Sequence, residues 1–184
     1  DAATVAVRRL MDSFVRLGDD THMDLDVVAK ELHALSDRID AHAPTEEDRM
    51  VEMWAGEHST QHDPVTGFHN PIAPPLEFHG LADGSVEAIV TLGIVYQGQP
   101  RMAHGGIAAL LIDHAYGVAN GWAGTSGMTA HLELDYRRPT PLFEPLTIRA
   151  RQVRVEGRKI WTEGTLSAGG EVCVSSEALF IAGH

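Results

Sequence analysis

"HGGIAALLIDHAYG", His104–Gly117, is the stretch that decides the fold. It is apolar nearly all round, too long for an ordinary strand, and opened by a histidine and two glycines. A helix of this kind has to be enclosed, because apolar residues on every side gain by leaving water. Yet an aspartate, Asp113, stands in its middle. A carboxylate in apolar surroundings is costly unless a partner neutralises it or its pKa moves. Asp113 is therefore either a structural aspartate paired with an arginine or a group with chemistry to perform.

The sequence around this helix reads as strands. "LEFHGL" (Leu76–Leu81) and "SVEAIVTL" (Ser85–Leu92) flank Ala82-Asp83-Gly84, which predicts a hairpin. After the helix, "MTAHLELDYRRP" alternates, with Leu132, Leu134 and Tyr136 on one face and His131, Glu133 and Asp135 on the other. Three more strands follow, "LTIRARQVRVE", "KIWTEGTLSA" and "EVCVSSEALFIA", with turns at Glu156-Gly157 and Gly169-Gly170. One long apolar helix among about six antiparallel strands predicts an α+β fold, a sheet wrapped around one central helix that it buries on most sides.

Upstream lie two amphipathic helices. Val7, Leu10, Met11, Phe14 and Leu17 share one face, and Leu25, Val28, Leu32, Leu35 and Ile39 another, with Asp24 as N-cap and Pro44 beyond the end. Each apolar stripe predicts docking on the main domain or on a partner subunit. Residues 54–75, rich in Pro, Gly, His and Asn, read as a long loop, a lid or a linker. His58, His62 and Asp63 fall within it, but the spacing is not that of a zinc helix. They read as solvated loop residues, and no metal site is expected.

The length of 184 residues suits one domain with an extension, divided as residues 1–70, helical extension and loop, and residues 71–184, the main domain. The net charge of −12 argues against general nucleic-acid binding. The charge is uneven, however. Arg137, Arg138, Arg149, Arg151, Arg154, Arg158 and Lys159 make up half of all Lys and Arg within 23 residues. This is either ordinary surface charge on strands or a local site for an anionic ligand. The single cysteine, Cys173, lies in an apolar run and reads as a core residue. With no second thiol, and with "AATVAV" too short for a leader and followed by Arg8 and Arg9, a reducing, cytoplasmic setting is expected. No apolar run approaches the ~20 residues that span a bilayer.

The first N–H groups of a helix lack partners and sit at the positive end of its dipole. His104-Gly105-Gly106 thus forms a potential oxyanion hole, made by the Gly105 amide with that of Gly106, and Asp113 could serve as base or nucleophile. Eight residues separate Gly105 from Asp113, about 12 Å at ~1.5 Å per residue. Within one chain the two cannot act on one carbonyl. Two such helices packed antiparallel about a twofold axis could, which predicts a homodimer with two composite sites, or a homotetramer as a dimer of such dimers.

"HGGIAALLIDHAYG", then "GMTAHLELDYRRPTPL", then "EGRKIWTEGTL", in that order across residues 71–184, resembles the hot-dog-fold acyl-CoA thioesterases of the PaaI-like branch. The resemblance implies a hot-dog fold and hydrolysis of an acyl-CoA thioester to free acid and CoA, without a cofactor. It implies that the Gly105 amide polarises the thioester carbonyl, that Asp113 activates water or attacks directly, and that Thr129 positions the nucleophile. It also implies CoA along the subunit interface, with Arg137, Arg138, Arg158 and Lys159 as candidates for its phosphates. His104 either touches the thioester or caps the helix, the second being favoured; His114 and His131 read as structural or interfacial. Two alternatives remain open. A hot-dog hydratase or dehydratase also uses a histidine before the helix and an acid on it. A non-catalytic acyl-CoA-binding module would leave Asp113 without a role.

Overall fold

The computed structural model describes residues 1–18, 22–52, 59–74 and 76–183. In chain order its elements are α1 (Ala2–Val15), α2 (Leu25–Asp40), α3 (Glu46–Glu52), β1 (His79–Gly80), β2 (Val86–Thr91), α4 (Gly105–Trp122), β3 (Met128–Tyr136), β4 (Pro145–Glu156), β5 (Lys159–Ala168) and β6 (Glu171–Ile181). The six strands form one antiparallel sheet in the order β1-β2-β4-β5-β6-β3. Alternation explains which residues line its inner face: Val86, Ala88 and Val90 of β2, Leu146, Ile148 and Ala150 of β4, Ile160 and Leu166 of β5, and Val174, Ala178 and Phe180 of β6 are all buried. Gly157, at φ 57°, supplies the left-handed residue of the β4–β5 turn.

Helix α4 lies across this inner face. Ala108, Leu111, Ile112, Ala115, Tyr116 and Ala119 meet the sheet and complete the core. Two buried polar pegs fix the rotation of the helix. The Tyr116 hydroxyl pairs with the Ser176 hydroxyl, and burial pushes the Tyr116 phenol up to about 12, so it stays protonated. Asn120 Oδ1 accepts from Thr162 Oγ1 at 2.8 Å and from Gln152 Nε2 at 3.2 Å. Gly164 leaves room for the tyrosine: a Cβ there would lie 2.8 Å from the Tyr116 ring.

The helix is enclosed on most sides, as its composition predicts, but one stripe stays open. Gly106, Leu110, Gly117 and Gly121 are exposed, with Asp113 half-buried at the margin of the same stripe. These positions recur every three or four residues and so share one face. The side opposite the sheet is the one left open. Edge strand β3 is likewise unpaired on one side among the described residues.

The upstream segments depart further from expectation. Asp24 caps α2, accepting from the Asp26 and Val27 amides, but no described residue of that helix is buried. On α1 the expected apolar face is exposed at Val7, Leu10 and Phe14. Thr4 is buried instead, Arg8 Nη2 donates to the Asn70 carbonyl at 3.0 Å, and Asp1 bonds the His69 ring at 2.8 Å. Polar anchors hold α1 to the chain at residues 69–70, and they turn its apolar stripe outward. Strand β1 is shorter than the predicted 76–81, because Leu76 turns into the core and Phe78 packs on the His114 ring. The segment 59–74 is no free linker: Asp63 Oδ1 accepts from the Val65 and Thr66 amides, and Val65 enters the core.

Candidate active site

At the start of α4 the N-cap is His104, in extended backbone at φ −63°, ψ 135°. Its Nδ1 accepts from the Gly106 N–H at 3.0 Å, so the neutral ring carries its proton on Nε2. The His104 N–H donates to the Tyr96 carbonyl at 2.8 Å, and its own carbonyl accepts from Ile107 at 2.9 Å. This corrects the expectation of two oxyanion donors. A histidine cap closes on the second helical amide, so Gly106 is occupied. Among the described residues nothing accepts from the Gly105 N–H, which leaves one donor at the helix start.

Tyr136, at the end of β3, covers that glycine. Its hydroxyl donates to the Gly105 carbonyl at 2.9 Å, and a Cβ on Gly105 would lie 3.3 Å from its ring. A groove of about 710 Å³ opens here, lined by His104, Gly105, Tyr136, Arg137, Arg138 and Thr140 among others.

Midway along the open stripe Asp113 Oδ1 accepts from Thr129 Oγ1 at 2.8 Å. Thr129 lies beside the irregularity of β3 between Thr129 and His131. No arginine pairs with Asp113 among the described residues. The next residue, His114, is held at both ring nitrogens, with Nδ1 3.4 Å from Asp63 Oδ1 and Nε2 3.3 Å from Thr66 Oγ1. Burial holds its pKa below the ordinary value, with Asp63 and Asp113 opposing. His131 is exposed, 3.8 Å from Glu133.

The basic segment does not form one patch. Arg137 pairs with Asp135, Arg138 with Glu171, Arg149 with Asp83 and Arg151 with Glu163, while Arg154 stacks on Trp161. Of the four residues expected at phosphates, Arg137 and Arg138 line the groove beside Gly105. Arg158 and Lys159 sit at the β4–β5 turn, level with Met128 through Ile181. Eight residues of β3 separate the two ends, about 26 Å at ~3.3 Å per residue. A single chain therefore does not unite the four. His62 is no solvated residue but is half-buried, bonded to Arg49 and stacked on His69; His58 lies outside the described residues.

Sequence reading missed Tyr136 and the Asp63–His114–Thr66 contact. Tyr136 carried a signal, since it falls on the inward face with Leu132 and Leu134. The histidine contact carried none, because its partners lie some fifty residues apart.

Comparison with known proteins adds the following. Residues 101–174 match the family described as "Thioesterase superfamily", and residues 1–48 match "Hypothetical protein RHA1_ro05818, N-terminal helical domain". A crystal structure described as a thioesterase superfamily protein is 50% identical, with TM-score 0.88, over 98% of this chain and 89% of that one. Acyl-coenzyme A thioesterase THEM4 of Rattus norvegicus is 31% identical over 106 residues, 56% of this chain and 46% of the relative. The chain thus spans under half the length of that curated relative. A hypothetical thioesterase protein of Streptococcus pneumoniae, solved with coenzyme A, shares the fold at TM-score 0.55 and 21% identity, over 59% of this chain and 90% of that one. No helix among the described residues is long and apolar enough to cross a membrane.

Proposed function

The chain belongs to the thioesterase superfamily, and from that premise we propose that it hydrolyses the thioester of an acyl-CoA to the free acid and CoA. The thioester carbonyl oxygen accepts from the Gly105 N–H of one protomer, where the helix dipole favours the negative charge that develops. Asp113 of the partner subunit takes a proton from water as the water oxygen attacks the carbonyl carbon. The carbon–sulfur bond then breaks and the proton passes to the departing thiolate. Thr129 holds one carboxylate oxygen, which leaves the other for the water.

The observation that carries this reading is the arrangement along α4: one unoccupied amide at Gly105, and a carboxylate eight residues on, held by a threonine. The open stripe of the helix and the unpaired edge of β3 support assembly about a twofold axis, as a homodimer or a homotetramer built from it. An antiparallel pairing of β3 edges brings the start of one strand to the end of the other. Arg158 and Lys159 of one protomer then approach the groove that holds Arg137 and Arg138 of the other, around the phosphates of CoA. The Streptococcus pneumoniae thioesterase was solved with CoA, which supports CoA as a ligand of this fold. In this reading residues 71–184 are the catalytic unit and residues 1–70 its helical extension.

Thiol release from a panel of acyl-CoAs tests the activity. Asp113→Asn should lower kcat at least about a hundredfold, the lower range for a lost general base, with melting unchanged. Wild-type turnover by that variant would refute the mechanism. Mixed dimers test the composite site. Gly105→Pro removes the proposed donor at the first helical position, where proline fits, and His104 already has the extended backbone a following proline requires. Refolded together, Asp113→Asn and Gly105→Pro chains give about half mixed dimers, each with one intact site, so about a quarter of wild-type activity should return. No recovery from folded, paired chains would overturn the cross-subunit arrangement.

A further inference from the structure

A glycine that donates a catalytic N–H faces a specific difficulty. With no Cβ to restrict it, its backbone turns more freely than that of any other residue, and an oxyanion donor works only when aimed before charge develops. The flanking groups must therefore hold the amide in place. On the N-terminal side they do so through the main chain: His104 donates to Tyr96 and accepts from Ile107. On the C-terminal side the peptide joining Gly105 to Gly106 is gripped at both ends. Its N–H is held by His104 Nδ1 at 3.0 Å and its C=O by the Tyr136 hydroxyl at 2.9 Å. Fixing that plane fixes ψ of Gly105, and with it the direction of the unoccupied Gly105 N–H.

We propose that Tyr136 is a positioning residue of the acyl-carbonyl site, its hydroxyl clamping the Gly105–Gly106 peptide so that the Gly105 amide is aimed at the thioester oxygen. The position of Tyr136 accounts for the division of labour along β3. The start of the strand holds the Asp113 carboxylate through Thr129, and its end holds the amide donor through Tyr136. One edge strand thus holds both the N-terminus and the middle of α4. Tyr136 need not touch substrate, and its ring packs 3.3 Å from where a Cβ of residue 105 would stand. This inference rests on the proposed thioester hydrolysis.

The test is Tyr136→Phe, which keeps the ring and removes the hydroxyl. Turnover of the best acyl-CoA should fall roughly three- to tenfold in kcat, the loss expected for one hydrogen bond of ~0.7–1.4 kcal/mol. KM should change less than about twofold, since the loss lies in the transition state. Because Tyr136 and His104 grip one peptide, the double variant with His104→Ala should lose less than the product of the single losses, whereas the pair with Thr129→Ala should multiply. Independently of activity, amide hydrogen exchange at Gly106 should quicken severalfold in Tyr136→Phe, with exchange in β4 and β5 unchanged. Wild-type kcat, a loss confined to KM, or unchanged Gly106 exchange would overturn the assignment. If Asp113→Asn is inactive while Tyr136→Phe is fully active, the clamp fails and the hydrolase stands; if Asp113→Asn is active, the hydrolytic reading itself fails.

Discussion

Replacing Thr129 by valine isolates the hydroxyl that holds the proposed base. Valine keeps the β-branched shape that suits a strand and removes only the 2.8 Å bond to Asp113 Oδ1. A hydrogen bond to a charged acceptor contributes about 1.5–3 kcal/mol where water is excluded. Thr129 is exposed in the single chain and Asp113 half-buried, so water can replace part of the lost bond, and about 1 kcal/mol is the appropriate figure. At 1.36 kcal/mol per decade this is a loss of about fivefold in kcat. Folding should barely respond, since substitutions on an exposed strand surface usually fall within about 0.5 kcal/mol. The assay is thiol release at saturating acyl-CoA, with wild type, Thr129→Val and Asp113→Asn measured together. The expected order places Thr129→Val a few-fold below wild type and well above Asp113→Asn. An unchanged kcat would remove Thr129 from the site. A loss equal to that of Asp113→Asn, with native melting, would make the threonine more than an orienting group.

Two further perturbations probe the scaffold. Gly164→Ala puts a Cβ 2.7 Å from the Arg149 carbonyl oxygen and 2.8 Å from the Tyr116 ring; overpacking of this kind costs roughly 1–3 kcal/mol, so melting should fall by about 3–9 °C, and an unchanged melting temperature would refute the close packing of sheet on helix. His114 is held below its ordinary pKa of 6.5 by burial, against Asp63 and Asp113. The unfolded chain therefore binds this proton more readily than the folded one, and the stability that neutral His114 contributes is complete above 6.5 and lost as pH falls through its lower folded-state value. Between pH 7 and about 5.5 wild type should lose more melting temperature than His114→Gln; equal slopes would show that His114 does not titrate in this way.

The sequence by itself determined the elements and their periods. Alternating apolar residues and turn glycines specified five of the six strands nearly to their ends, and the long apolar run from His104 specified the helix they pack against, because burial of such residues depends only on local spacing. It also pointed to Gly105 and Asp113 from their places on the helix, and to Thr129 through a resemblance carried by short motifs. The tertiary structure decided what spacing does not encode. Pegs at Tyr116 and Asn120 set the rotation of α4, and that rotation leaves Asp113 beside an open stripe rather than inside the core. The imidazole of His104 takes the Gly106 amide and leaves Gly105 as the free donor among the described residues. Strand direction sends Arg137 and Arg138 to one end of the sheet and Arg158 and Lys159 to the other, although they are near neighbours in the chain. Polar anchors at Asp1 and Arg8 turn the apolar stripe of α1 outward, against its amphipathic pattern. Each of these outcomes depends on contacts between residues distant in sequence, whose geometry exists only once the sheet has closed over one side of the helix.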